Sequence, residues 1–487
     1  MTKNAAYSMG PGTFEVPMAM HAGARVRLVE RLRRAGAPAS AVVLLQGGAQ
    51  QSKYDTDREL LFQQESFFQY LFGVKEPGFY GAVEVGSGRA HLFMPRLPSE
   101  WAVWMGKIHP PEHFEELYAV DAVHYADEIA ATLRGLKAEP LLLLTGRNSD
   151  SGSVLPPASF PGIDAFRSDS ALLHTELTEC RLRKSPEELA LLRAVNLVAS
   201  AAHVEVMRRC RPGVKEYQLE AAFLHEIYAK GGCRFSAYTC ICGCGPHSSI
   251  LHYGHQGAPN DGTLRDGDMF LNDSGAEYHG YASDITCSYP VNGRFSSEQR
   301  AVYETVLRAN RAVQAAMKPG VPWPEMHRLA ERVTAEGLRE IGLVKGSTQE
   351  LLANHVPALF MPHGLGHLMG LDVHDVGGYP EGVSRIDEPA IRSLRCGRKL
   401  EAGMVITVEP GIYFIEALLE PALADPKRSR FLAPDVVRRF AGFGGVRIED
   451  DVIVTQTGAE NMTCVPREQR EIEAVMAGGA WEPRAAA

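Results

Sequence analysis

The stretch DMFLNDSGAEYHGYASDITCSY, residues 268–289, ends one apolar run on an aspartate and sets a second aspartate inside the next. DMFLND (268–273) and YASDITCSY (281–289) read as strands, with SGAEYHG as the turn between them. Facing strands of such a hairpin can point side chains the same way, which brings Asp273 and Asp284 together. Two carboxylates at close range repel, and one pKa rises unless a cation lies between them. Taken alone, the pair also fits an Asx turn at Asn272-Asp273-Ser274-Gly275 with an ordinary ion pair for Asp284.

Three stretches further along change that balance. HGLGHLMG (363–370) contributes His367, ITVEPGIYF (406–414) contributes Glu409, and GGVRIEDDVIV (444–454) contributes Glu449. The two glycines of HGLGH argue against a zinc-binding helix. They fit a backbone that must approach a ligand. His374, in LDVHDVGGYP, is a second imidazole suited to acid–base or oxyanion work. A carboxylate such as Glu409, closing a buried apolar run, is costly unless paired or metal-bound. Strand alternation sets Arg447, Glu449 and Asp451 on one face, making Arg447 the expected partner that holds Glu449. Four carboxylates and one imidazole suit two divalent cations of the hard or borderline kind, Mn²⁺, Co²⁺ or Fe²⁺. Two such ions can hold a bridging hydroxide and polarise a carbonyl, which is hydrolytic chemistry.

The ligands follow a repeated pattern. A helix ends at Arg211-Pro212-Gly213-Val214 and a second carries EYQLEAAFLHEIYAKGG. About 107 residues on, a helix ends at Lys318-Pro319-Gly320-Val321 and another carries EMHRLAERVTAEGLREIG. This predicts a duplicated half-domain with its site between the halves. Asp273 and Asp284 come from the first half; His367, Glu409 and Glu449 come from the second. Ahead of it, Ser185-Pro186-Glu187-Glu188 predicts a capped helix start. The first 180 residues alternate helix (22–35) and strand (41–47, 141–146), with a hairpin at Gly86-Ser87-Gly88. Two domains are expected, 1–180 and 181–487.

With 487 residues, 45% of them hydrophobic and 22% charged, the composition is that of a globular enzyme. A net charge of −9 without a basic run argues against nucleic acid as a partner. No signal-peptide core or membrane span is expected. Nine cysteines, an odd count in a long chain, point to free thiols and a cytoplasmic setting. Cys240, Cys242 and Cys244 share a spacing that fits a buried strand better than a zinc knuckle.

D-x₁₀-D, HGLGH, VEPG and RIEDD in this order resemble the pita-bread metallopeptidases. LHYGHQGAPND, FMPHGLGHLMGLDVHDVGGYPEG, IDEPAIRSLR and GFGGVRIEDDVIVT are similar to the Xaa-Pro dipeptidases in particular, as are QQESFFQYLFGVKEPG and WMGKIH near the N-terminus. The resemblance implies an α+β chain: a creatinase-like α/β N-terminal domain followed by a pita-bread catalytic domain, in a homodimer. It implies two divalent metal ions, Mn²⁺ foremost with Co²⁺, Fe²⁺ or Zn²⁺ as alternatives. Asp284 and Glu449 would bridge them, Asp273 completing one ion and His367 with Glu409 the other. An Xaa-Pro dipeptide would contact His252, His367, His374, Arg395 and Tyr238, with Arg395 on its carboxylate. Glu409, His374 and His252 would be the catalytic groups, around a metal-bridging hydroxide. Trp104 is a weaker carry-over, toward a neighbouring subunit's site. The third thiol and His247 in CGCGPHSS depart from the family's pattern.

Overall fold

A computed structural model describes residues 5–255, 257 and 259–482. The chain divides into two compact units, residues 1–188 and 189–487.

The first unit is built on a mixed six-stranded sheet. Its strands lie in the order Ser168–Asp169, Leu141–Leu143, Val42–Gln46, Tyr80–Glu84, Ala90–Met94, Ala122–Tyr125. The apolar run at 42–46 is central because both of its faces are covered, as a near-continuous hydrophobic strand requires. Val42, Leu44, Phe93 and Leu141 pack there against Ile129, Leu133 and Phe160. Gly88 turns the 80–94 hairpin with φ of 77°. Helix Leu173–Leu182 belongs to this unit: Glu176 pairs with Arg31 at 2.8 Å, and Tyr70 bonds the Cys180 carbonyl. The division therefore falls after the capping box of the next helix, some eight residues beyond the expected 180. In that box Ser185 N–H donates to Glu188 Oε2 (2.9 Å) and Glu188 N–H to Ser185 Oγ (3.3 Å).

The second unit repeats itself at the level of single hydrogen bonds. Helices Pro186–Arg209 and Glu216–Gly231 form one pair, Ser297–Ala316 and Trp323–Ile341 the other. After the first helix, Gly213 N–H donates to Leu264 O, Leu264 N–H to Val214 O, and Glu216 N–H to Gly262 O. After the third, Gly320 N–H donates to Leu400 O, Leu400 N–H to Val321 O, and Trp323 N–H to Arg398 O. Each pair closes over a glycine. A Cβ on Gly231 would meet Val198 at 2.3 Å, and one on Gly337 would meet Thr305 at 2.1 Å.

A three-stranded sheet follows each helix pair: Ile241–Cys244, Met269–Ser274 and Ile285–Pro290 in the first half, Val405–Val408, Asp450–Val454 and Ala459–Asn461 in the second. A bridge between Thr286 and Glu449 joins the halves, and Ser288 and Arg447 exchange hydrogen bonds beside it.

Three expectations change. YASDITCSY is not one strand: Tyr281–Ala282 ends before Ser283-Asp284, and pairing resumes at Ile285. GGVRIEDDVIV likewise breaks into Gly445–Arg447 and Asp450–Val454 around Ile448-Glu449. Asp284 and Glu449 thus both stand where the ladder is interrupted, their backbone N–H groups given to Asp451 Oδ2 and Thr286 O. Helix Pro186–Arg209 is also long and apolar enough to span a membrane, contrary to expectation. Its most apolar stretch is 56% buried inside the protein. It is apolar because the core covers it.

Candidate metal centre

All nine predicted site residues, Tyr238, His252, Asp273, Asp284, His367, His374, Arg395, Glu409 and Glu449, line one cavity of about 370 Å³. Asp273 is the penultimate residue of its strand, paired with Thr286, and Asp284 sits at the break just before the partner strand, so the hairpin delivers both. The Tyr238 hydroxyl lies 2.5 Å from Oδ1 of each. One O–H donates to one acceptor only, so Tyr238 sits between the pair and bonds both only while one carboxyl keeps a proton to donate to the phenol oxygen. Ligand atoms of Asp284, His367 and Glu449 lie within 4.8 Å of one another.

HGLGH is not helical, and its glycines have a physical cause. A Cβ on Gly366 would meet the Thr407 carbonyl at 2.0 Å, and one on Gly364 the Leu394 backbone at 2.6 Å. Both glycines approach the protein's own backbone closely, and both also line the cavity. This stretch presents His367, whose Nδ1 lies 3.1 Å from the Leu368 carbonyl. Donation there leaves Nε2 facing Asp284 Oδ2 at 3.3 Å and Glu409 Oε1 at 3.7 Å. His374 packs edge-on against His367, ring centroids 4.4 Å apart.

The electrostatics of this cluster call for a cation. Burial, then the neighbouring Asp273, pushes the Asp284 carboxyl well above the usual carboxylate range. Burial, then Asp284 and Glu409, does the same to Glu449. Burial lifts Glu409 to about 7, although His367 and Arg447 pull it down. Buried carboxylates facing one another and an imidazole nitrogen are a set that protons satisfy poorly and divalent ions satisfy well. The residues fit the metals.

Around them stand groups that pattern reading missed. Arg447 does not hold Glu449 directly. Its guanidinium bonds Asp273 Oδ2 (2.5 Å), Thr286 Oγ1 (3.1 Å) and the Tyr413 hydroxyl (2.8 Å). Glu449 is held instead by Thr286, whose hydroxyl donates to Oε2 at 2.7 Å, and by Arg467 at its backbone carbonyl. Strand alternation failed here because the strand breaks at Glu449. His363 also lines the cavity, bonding Tyr413 through Nε2 at 2.9 Å. Desolvation, then Arg447, lowers its pKa to about 3. Its place in HGLGH was the only available signal. Arg467 had none, since it arrives from a loop beyond the last strand.

Residues 190–456 match the model of metallopeptidase family M24, and residues 21–142 that of the aminopeptidase P N-terminal domain. The chain belongs to metallopeptidase family M24. Its architecture is accordingly the expected creatinase-like domain followed by a pita-bread domain, and it is a peptidase of a divalent-metal family. It is 57% identical over 471 residues to an Xaa-Pro dipeptidase of Homo sapiens, covering 96% of each chain. It is 36% identical to a probable Xaa-Pro aminopeptidase of Verticillium alfalfae, covering 92% of this chain and 95% of that one. Among solved structures, the aminopeptidase PepP of Pseudomonas aeruginosa superposes with a TM-score of 0.77 at 34% identity, covering 95% of this chain and 98% of that one.

Proposed function

We propose that this protein is a dinuclear-metal dipeptidase that hydrolyses Xaa-Pro dipeptides. The observation that carries the reading is the convergence of four carboxylates, one imidazole and Arg395 on one small cavity, in a chain 57% identical to an Xaa-Pro dipeptidase. Asp273, Asp284, His367, Glu409 and Glu449 would hold two divalent ions. Oxygen-rich donors make Mn²⁺ the first choice, ahead of Co²⁺, Fe²⁺ or Zn²⁺. When bound, such ions lower the pKa of water and polarise a carbonyl.

The chain's own groups then divide the remaining work. Arg395 binds the substrate's free carboxylate, for which a planar guanidinium is suited. Desolvation and the neighbouring histidines and arginines lower the pKa of His252 and His374, which keeps both imidazoles neutral. A neutral ring N–H from either can donate to the oxyanion that develops at the scissile carbonyl. Glu409, a cavity carboxylate beside His367, would take the proton given up by the attacking water and return it to the proline nitrogen, which must gain one to leave. Tyr238 fixes Asp273 against Asp284 rather than reaching for substrate alone.

The test is hydrolysis of Gly-Pro and of Gly-Pro-Ala by Mn²⁺-loaded protein beside a chelator-treated control. Chelator-sensitive cleavage of the dipeptide alone is expected. Cleavage of the tripeptide would move the reading to an Xaa-Pro aminopeptidase, the activity named for the 36%-identical relatives. No cleavage of either would favour an organophosphate hydrolase or a non-catalytic peptide-binding protein. A homodimer in the cytoplasm completes the proposal. Exposed Trp101, Val103, Trp104 and Met105 on one short helix support association, and nine free thiols suit a reducing compartment.

A further inference from the structure

Outside the cavity just described, a second set of unlike ligands converges at the start of helix Glu216–Gly231. Glu216 is fully buried. Its Oε1 accepts from Cys244 N–H at 2.8 Å and from His247 Nδ1 at 3.0 Å; its Oε2 accepts from the Tyr253 hydroxyl and Gly262 N–H, both at 2.7 Å. The Cys244 thiol is also hydrogen-bonded to this carboxylate, and burial followed by Glu216 pushes its pKa up. Ligand atoms of Glu216, Cys244 and His247 all lie within 4.8 Å of one another. Cys244 is buried at the end of strand Ile241–Cys244, whereas the His247 side chain is 39% exposed and stacked on Tyr253.

An imidazole and a thiol thus both aim protons at one carboxylate. We propose that Glu216, Cys244 and His247 form a further metal site, for a single thiophilic divalent ion such as Zn²⁺, chemically distinct from the carboxylate-rich centre. Tetrahedral zinc with bonds of about 2.0–2.1 Å to nitrogen and oxygen sets those atoms roughly 3.3 Å apart. The Oε1–Nδ1 distance of 3.0 Å is already close to that. Binding releases the thiol proton and moves the imidazole proton from Nδ1 to Nε2. Carboxylate, thiolate and neutral imidazole then balance the charge of the ion. Three protein ligands leave a fourth position, open to solvent on the His247 side. Tyr253 and Gly262, both anchored on Glu216, lie on the segment that carries His252 and His255 into the peptidase cavity. Occupancy would brace that segment.

Co²⁺ titrated into the full-length protein separates the two kinds of site, because only a thiolate ligand gives sulfur-to-metal charge-transfer absorption in the near ultraviolet. Wild type should show this band at an intensity of one thiolate-bound ion per chain once all sites are filled, and Glu449→Ala should retain it. Cys244→Ser should abolish the band, and His247→Asn, a change at a part-exposed position, should weaken Co²⁺ affinity at this site at least tenfold. Absence of the band from wild type, its survival in Cys244→Ser, or unchanged affinity in His247→Asn would each overturn the assignment.

Discussion

The two halves of the catalytic unit share a backbone and differ in what they hang on it. The same turn hydrogen bonds start at Glu216 in one half and at Trp323 in the other. Glu216 buries a charge among four donors; Trp323 buries an indole that donates to the Gly366 carbonyl at 3.3 Å. His203 donates to the Ser274 carbonyl, while Asn310, 107 residues on, donates to the Val408 carbonyl. Duplication therefore preserved the bonds that shape the frame and released the side chains. One half could then offer two aspartates from one hairpin, and the other a histidine and two glutamates from three segments.

Exchanges at matched positions test how far that equivalence goes. The largest effect should come from the seam between halves. Glu449→Ala should lose metal, measured by elemental analysis, and Gly-Pro hydrolysis together. The loss should exceed the roughly 10–100-fold cost of removing an outer partner; a variant keeping both would sink the assignment. Next, Trp323→Ala should cost about 3–5 kcal/mol by leaving a cavity. Glu216→Ala should cost a comparable amount through stranded donors at about 1–3 kcal/mol each. Denaturant titration would show whether the matched positions weigh alike despite their different physics.

A third comparison concerns pH. Burial lowers the His203 pKa to about 4 from an ordinary 6.5, so folding favours its neutral form. The stability tied to that form is complete above pH 6.5 and is lost as pH falls toward 4. It amounts to about 3 kcal/mol at one pKa unit per 1.4 kcal/mol. His203→Asn imports the other half's solution and should flatten that acid slope in thermal melts between pH 6.5 and 4. Smallest, Gly231→Ala and Gly337→Ala should each cost about 1–3 kcal/mol by overpacking one helix pair. A large inequality between them would mean that the two pairs are not packed alike.

Legibility followed locality. The capping box at Ser185–Glu188 was readable because its partners sit three residues apart. The two helix stops were readable because Pro-Gly punctuates any chain. The five candidate ligands were readable because each falls at a predicted strand end or sharp turn. Arg447 was misassigned because alternation was carried across a break that only the Thr286–Glu449 pairing creates. His363 had only its place in HGLGH, and Arg467 and the Tyr238 contacts had no local signature. Nor did the meeting of Glu216 with Cys244 and His247, which lie 28 and 31 residues away along the chain.

Sequence alone determined which donor atoms this protein has, in what order, and on which kinds of element, since capping, turn geometry and burial periodicity act over a few residues. Tertiary structure decided which donors face one another and how far burial and repulsion shift their pKa values. It also decided which glycines must yield to a neighbouring segment. Those outcomes depend on distances between segments tens to hundreds of residues apart, and Coulomb and desolvation energies follow distance in space rather than position in the chain.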